Sequence, residues 1–165
     1  MKIAIIYSTL IEDSKESAKI LKELINSEVV LISIKNVKSE CLLKYNLIIL
    51  GGSTYSNKVQ GVFKRYMSRN IRTLLEKPHA LYLNSDENID ININLNKVFT
   101  REIIESSIVC LNFGYNINTD TGNFLEKRKT KKIIQNNNNE IPSLNKRKIK
   151  EFAKVINDLI KKRVD

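Results

Sequence analysis

Short apolar runs separated by amphipathic segments constrain this sequence more than any other feature. Five runs rich in Ile, Val and Leu are nearly continuous, as strands are when helices cover both faces of a parallel sheet. They lie at residues 2–7, 28–33, 46–50, 79–84 and 107–113. The segments between them have apolar residues at helical spacing, so strands and helices alternate along the chain. This alternation predicts an α/β fold with five strands.

Helices are expected between the strands and after the last one. Their predicted bounds are residues 14–26, 57–76, 95–106 and 146–163. Asp13 followed by Glu16 has the spacing of a capping box, which predicts Asp13 as the N-cap of the first helix. Right-handed crossovers then give an open doubly wound sheet, with strand order 2-1-3-4-5 expected for a chain of 165 residues. Ligands of such sheets bind beyond the carboxyl ends of the strands.

Length and composition predict a single domain covering residues 1–165. The chain is 42% hydrophobic and 28% charged, which is ordinary for a globular protein. It has no apolar run of the roughly 18 residues that a membrane span needs, and its start does not resemble a secretory signal, so a cytoplasmic location is expected. The well-separated Cys41 and Cys110 exclude a CxxC redox pair, and a single histidine, His79, excludes a histidine cluster.

The net charge of +10 is concentrated late in the chain. Residues 126–150 contain nine Lys and Arg against two Glu, a net charge of +7, and include the run Asn136–Asn139. A solvated surface loop and a binding patch both remain open interpretations. Nucleic-acid binding is disfavoured, because the segment has almost no aromatic residues for stacking and no recognisable module.

The loop after the first strand has two interpretations. It reads Ser8-Thr9-Leu10-Ile11-Glu12-Asp13-Ser14 and opens a helix. Hydroxyl groups and free N–H groups at a helix N-terminus suit a phosphate monoester. However, the loop lacks glycine and is acidic, and Asp13 is explained equally well as a cap.

Glycine and aromatic residues follow two of the later strands. Gly51-Gly52-Ser53-Thr54-Tyr55-Ser56 comes after the third strand, and Gly114-Tyr115 after the fifth. Glycines directly after a strand allow a sharp turn or a close approach to a ligand, and a tyrosine offers a face for stacking on a flat cofactor. An ordinary tight turn explains the same residues. Since His79 and Cys110 are predicted to be structural, any chemistry is expected to come from a bound cofactor.

Several segments together resemble the flavodoxin family. They are Tyr7-Ser8-Thr9 with Ser14 and Ala18, then Tyr45–Ser53, Phe63 and Pro78, which occur in the family's order over almost the whole chain. The chain is most similar to the branch that includes the menaquinone-dependent protoporphyrinogen oxidases. The resemblance implies a flavodoxin-like doubly wound sheet of order 2-1-3-4-5, with helices on both faces and one bound FMN.

The resemblance also implies which residues hold the cofactor. The phosphate would be framed by Ser8, Thr9, Leu10, Ile11, Glu12, Asp13 and Ser14. The isoalloxazine ring would be bordered by Ser53, Thr54, Tyr55 and Ser56 on one side, and elsewhere by Asn84, Ser85, Gly114 and Tyr115.

The implied function is electron transfer from a reduced donor to a quinone, a porphyrinogen or a protein acceptor. Whether the chain is an enzyme or a carrier stays open. The late basic insertion, about residues 114–144, corresponds to a segment linked to membrane or quinone access in the oxidase branch, which suggests peripheral membrane association through residues 127–150. The alternative is a flavodoxin-fold binding module with weak or no FMN affinity, because Glu12 stands where the family usually has glycine.

Overall fold

A five-stranded parallel sheet forms the centre of the molecule. The computed structural model describes residues 1–7, 12–37, 39–54, 57–116, 135 and 142–163. The strands are β1 (Lys2–Tyr7), β2 (Glu28–Ser33), β3 (Leu47–Ser53), β4 (His79–Asn84) and β5 (Cys110–Asn112). Their order is β2-β1-β3-β4-β5, and every adjacent pair is parallel. The predicted doubly wound sheet of order 2-1-3-4-5 is therefore confirmed.

Helices cover both faces of the sheet. They are α1 (Glu12–Leu24), α2 (Asn57–Glu76), α3 (Ile91–Val98), α4 (Arg101–Glu105) and α5 (Lys146–Lys161), with a 3₁₀ helix at Ser39–Lys44. Helices α1 and α5 pack on one face, against alternate residues such as Ile3 and Ile5. The 3₁₀ helix, α2, α3 and α4 pack on the other face, against Ala4 and Ile6. Because both faces are covered, β3 and β4 are buried along their whole length.

The predicted helix at residues 95–106 is wrong in its extent. Helix α3 begins four residues earlier, where the Asp90 carboxylate accepts a hydrogen bond of 2.7 Å from the Asn92 N–H. The chain then breaks at Phe99, whose backbone is extended and whose ring packs edge-on to Phe63 at 5.7 Å. Burial of Phe99 in the core therefore divides the segment into α3 and α4.

Gly51 and Gly52 lie inside β3, so their interpretation as a turn or a ligand approach is wrong. A Cβ on Gly51 would overlap the ring of Tyr82 on the neighbouring strand. A Cβ on Gly52, on the opposite face, would lie 2.6 Å from Cγ1 of Val98. The two glycines therefore make room for packing against both faces of β3.

The late basic insertion is largely outside the described residues. Of the interval 114–144, the structure describes residues 114–116, 135 and 142–144. The insertion and the single-domain extent of 1–165 remain predictions. Within the described ranges, no helix is long and apolar enough to cross a membrane.

Gly51→Ala tests the packing of Tyr82 on β3. The added methyl group must displace a fully buried ring, so we expect the free energy of unfolding to fall by about 3 kcal/mol. Gly61→Ala is the matched control, because Gly61 is exposed on α2 and nothing lies within 4 Å of its Cβ position. It should raise stability by about 0.5–1 kcal/mol through the helix propensity of alanine. Urea unfolding measures both, and equal effects would contradict the packing argument.

Candidate functional site

The direction in which successive strands are added to the sheet changes between β1 and β3. These strands are neighbours in the sheet, yet α1 follows β1 onto one face and α2 follows β3 onto the other. Their carboxyl ends therefore form a topological switch point, where doubly wound sheets bind ligands. The polar residues Asp13, Ser14, Ser53 and Thr54 come from the chain on either side of it.

Asp13 is not an N-cap, because α1 already begins at Glu12. Its buried carboxylate accepts hydrogen bonds of 3.1 Å from both the backbone N–H and Nδ2 of Asn116. Asn116 Nδ2 also donates to Glu16 at 3.2 Å, and its Oδ1 accepts from the Leu144 N–H at 3.2 Å. Asn116 thus connects the first turn of α1 to the segment before α5. No sequence signal indicated this residue, since it lies 103 positions from Asp13.

Ser14 is bonded to the sheet. Its buried hydroxyl donates to the Gly52 carbonyl at 3.5 Å, and its carbonyl accepts a 2.6 Å hydrogen bond from the Tyr82 hydroxyl. These bonds give Ser14 a structural role. Its predicted role as a phosphate ligand stays a prediction.

Asn84 occupies the carboxyl end of β4. Its Nδ2 donates to Ser17 Oγ at 3.0 Å and to the Gly114 carbonyl at 3.1 Å. Its backbone carbonyl accepts from the Thr54 N–H at 3.4 Å. Within the described part of the chain, Asn84 Oδ1 is buried without a hydrogen-bond partner. A buried acceptor of this kind is costly unless something donates to it.

Ser85 belongs to a second hydrogen-bonded group, which includes the buried amide side chains of Asn94 and Asn112. Its N–H donates to Asn112 Oδ1 at 3.2 Å, and its Oγ accepts from Asn94 Nδ2 at 3.1 Å. Asn112 Oδ1 also accepts from the Gly114 N–H at 3.1 Å. Asn94 and Asn112 were not predicted from the sequence, because asparagine in these positions is equally typical of a surface turn.

Gly114 adopts a conformation that favours glycine. Its φ is +65°, and a Cβ there would lie 2.8 Å from the Ser143 carbonyl oxygen. Tyr115, which follows it, is buried. The turn pairs with Leu144 through an antiparallel bridge, which places the start of α5, at Lys146, beside this site.

The structure brings together part of the predicted site. Ser53 pairs with Asn84 across β3 and β4, and Asn84 joins Thr54 and Gly114 by hydrogen bonds. Residues Ser8, Thr9, Leu10, Ile11, Tyr55 and Ser56 lie outside the described residues, and only the backbone of Glu12 is described. The roles of all these residues in holding a cofactor remain predictions.

Two further titratable side chains near the sheet, His79 and Cys110, make contacts with neighbouring structural groups. His79 is buried, with Nδ1 2.9 Å from the Lys77 carbonyl and Nε2 3.0 Å from the Ile103 carbonyl. Burial raises the pKa of the Cys110 thiol, although its contact with Ser107 opposes this. A raised pKa lowers the fraction of reactive thiolate. The buried His79 therefore agrees with its predicted structural role, whereas Cys110 is half-buried and not the fully buried core residue that was expected.

The sequence model of a family described as "Flavodoxin domain" matches residues 4–141. The chain belongs to this family. Solved flavodoxins share the fold of this flavodoxin-domain protein at low identity. Flavodoxin 2 from Bacillus cereus has a TM-score of 0.61 at 17% identity, covering 96% of this chain and 99% of its own. A flavodoxin from Archaea has a TM-score of 0.59 at 17% identity, covering 98% and 99%.

A third solved relative is the flavodoxin of Streptococcus pneumoniae TIGR4. Its TM-score is 0.57 at 12% identity, with 94% of this chain and 97% of that chain covered. No curated protein matches the sequence. Membership of the family supports an FMN-binding electron-transfer flavoprotein at that general level. Similarity of this flavodoxin-domain protein to the protoporphyrinogen oxidase branch stays a prediction.

Tyr82→Phe tests the bond between β4 and α1. At about pH 8 the variant should lose about 0.5–1.5 kcal/mol, because the Ser14 carbonyl loses a buried donor. Burial, with a smaller effect of Tyr7, raises the pKa of Tyr82 well above its usual value. Above about pH 10 the unfolded chain therefore releases this proton first, and native stability falls by up to about 1.4 kcal/mol per pH unit.

The phenylalanine variant has no such proton to release. Its stability deficit should therefore shrink as the pH rises above about 10. Urea unfolding of both proteins between about pH 8 and 11 measures the difference, in which the titration of all other groups cancels. A deficit that stays constant with pH would contradict the buried, protonated state of Tyr82.

Proposed function

We propose that this chain binds FMN noncovalently at the switch point and passes electrons between a reduced donor and an acceptor. The acceptor is a quinone, a porphyrinogen or a redox partner protein. Membership of the flavodoxin domain family supports the cofactor and the reaction class. The structural observation that carries the proposal is the polar edge at the carboxyl ends of β3 and β4, with its orphaned Asn84 Oδ1.

The chemistry of this edge fits a flavin. Thr54, Asn84 and Gly114 form a continuous group of hydroxyl, amide and backbone atoms. An isoalloxazine ring presents both N–H donors and carbonyl acceptors, so it offers the donor that Asn84 Oδ1 lacks. Bound FMN supplies the electron transfer, and the protein holds the ring, limits its contact with water and adjusts its potential through hydrogen bonds.

The first turn of α1 supports the phosphate end of the site. The first N–H groups of a helix have no acceptor within the helix, and they favour a nearby anion. The Asp13 carboxylate, which would oppose a phosphate there, accepts two hydrogen bonds from Asn116. Those two hydrogen bonds hold the carboxylate toward the segment that follows β5.

Of the basic segment 127–150, the structure describes residue 135 and residues 142–150, which include the first residues of α5. Lys146, Arg147, Lys150 and Lys154, together with Glu151, line a shallow hollow of about 420 Å³ on the surface. We propose this segment for peripheral association with the inner face of the membrane. Such an arrangement would suit delivery of electrons to a quinone.

Titration of the purified chain with FMN tests the proposal. We expect a bound-flavin absorption spectrum and quenched fluorescence. Thr54→Glu adds a negative charge beside the ring position, and it should weaken FMN binding by about tenfold, equivalent to about 1.4 kcal/mol. Thr73→Glu is the matched control, since it is the same substitution near the end of α2, at the amino edge of the sheet. Its affinity for FMN should equal that of the native chain.

Two results would count against the proposal. Equal FMN affinity of the native chain and Thr54→Glu would show that the ring does not lie beside β3. Failure of the native chain to bind added FMN would favour the alternative, a flavodoxin-fold binding module that acts through its basic segment.

A further inference from the structure

The exposed face of α2 carries a stripe of positive charge. Lys64, Arg65, Arg69 and Arg72 are all exposed and fall on one side of the helix, around the exposed Ser68. From Lys64 to Arg72 the helix rises by about 12 Å at 1.5 Å per residue. We name these four residues the α2 stripe. At physiological salt, charges this close act together on an approaching molecule.

The α2 stripe has no acidic counterpart. In α2 the sole acidic residue is Glu76, in the last turn. Some cations elsewhere pair with carboxylates, as in Lys2–Glu28 at 2.8 Å, Arg101–Glu105 at 2.6 Å and Lys148–Glu87 at 2.7 Å. Across the described ranges, no ion pair is recorded for any residue of the α2 stripe.

Like charges in the α2 stripe repel one another. Arg65 and Arg69 are four residues apart, a spacing at which equal charges destabilise a helix by about 0.2–0.5 kcal/mol. The helix is stable because its opposite side buries Phe63, Tyr66 and Met67 in the core. The repulsion would be relieved by an anionic surface placed against the stripe.

The α2 stripe starts close to the proposed cofactor edge. Helix α2 begins at Asn57, soon after β3 ends at Ser53 at the switch point. Lys64 follows two turns later, about 10 Å along the helix. A protein that binds the stripe and extends over the first two turns of α2 would therefore reach the edge at which electrons enter or leave.

We propose that the α2 stripe is an electrostatic docking surface for an acidic electron-transfer protein. The inference rests on the proposed FMN function, and it names the class of partner. Opposite charge steers such a partner to the cofactor edge and raises the association rate. Complementary charge also selects this partner over basic proteins.

The composition of the α2 stripe favours a protein over a membrane or a nucleic acid. Helices that lie on membranes insert apolar side chains beside their basic residues. Among the described side chains of α2, the large exposed apolar residue is Leu75, 44% exposed and beyond the end of the stripe. Proteins that bind single-stranded nucleic acids combine positive charge with aromatic side chains for stacking, and Tyr66, the aromatic residue within this interval, is buried.

The experiment measures association of the full chain, supplied with FMN, with an acidic plant-type [2Fe–2S] ferredoxin as the probe. The test variant replaces the four residues of the α2 stripe by Gln, as K64Q/R65Q/R69Q/R72Q. The control variant, K19Q/K22Q/K161Q/K162Q, removes the same charge from exposed positions on α1 and at the end of α5, outside the basic segment 127–150. Gln keeps the helix propensity, and unfolding in urea confirms that both variants fold.

We expect the native chain to bind the ferredoxin at about 50 mM salt and to lose affinity as salt increases. The α2 variant should bind at least about tenfold more weakly, and the control variant within about twofold of the native chain. Stopped-flow reduction of bound FMN by the reduced ferredoxin should slow by the same ratio. Binding to a short DNA duplex and to anionic phosphatidylglycerol vesicles is measured in parallel.

Three outcomes would overturn the inference. These are native-like ferredoxin binding by the α2 variant, equal weakening in both variants, or α2-dependent binding that is tighter to DNA or vesicles than to the ferredoxin. The FMN spectrum is read separately from association. Absence of bound FMN with α2-dependent ferredoxin binding would remove the proposed electron transfer and leave the docking surface in place.

Discussion

The side chain of Tyr82 joins β3 to the start of α1 at the carboxyl end of the sheet. Its ring covers Gly51 on β3, stacks on Phe113 at 4.9 Å and meets the edge of Phe152 on α5 at 6.4 Å. Its hydroxyl donates to the Ser14 carbonyl at the start of α1. A buried tyrosine needs both a packed ring and a satisfied hydroxyl. Together with the packing of Ala18 and Leu21, this residue links α1 to the sheet at the switch point.

The hydrophobic pattern was sufficient for much of the fold. β1, β2, β4 and α2 have their predicted bounds, because buried parallel strands and a long amphipathic helix leave strong periodic signals. The break at Phe99 could not be read in this way, since its extended backbone results from packing in the core. The interpretation of the β3 glycines as a turn was wrong for the same reason, because Gly51 makes room for the ring of Tyr82 on β4.

The location of the site in the fold was predictable from the sequence, whereas most of its hydrogen bonds were not. The switch-point rule located Thr54, Asn84 and Gly114 at one edge. The bonds of Asn116 to Asp13 join positions far apart in sequence, and one sequence carries no signal for such a pair. Counting charge along the chain pointed to the late segment and overlooked the α2 stripe. Only the fold separates the exposed face of a helix from its buried one.

The antiparallel bridge between Gly114 and Leu144 has a consequence for the architecture of the chain. There the Asn145 N–H also donates to the Phe113 carbonyl at 2.8 Å, so residues 113–116 and 144–145 hold together the two ends of the interval between them. The entropy cost of closing an interval of chain rises slowly with its length, by about 0.6 kcal/mol for each doubling. Residues inserted within this interval would therefore add little to the cost of closing it, and the contacts that fix both ends to the sheet can remain.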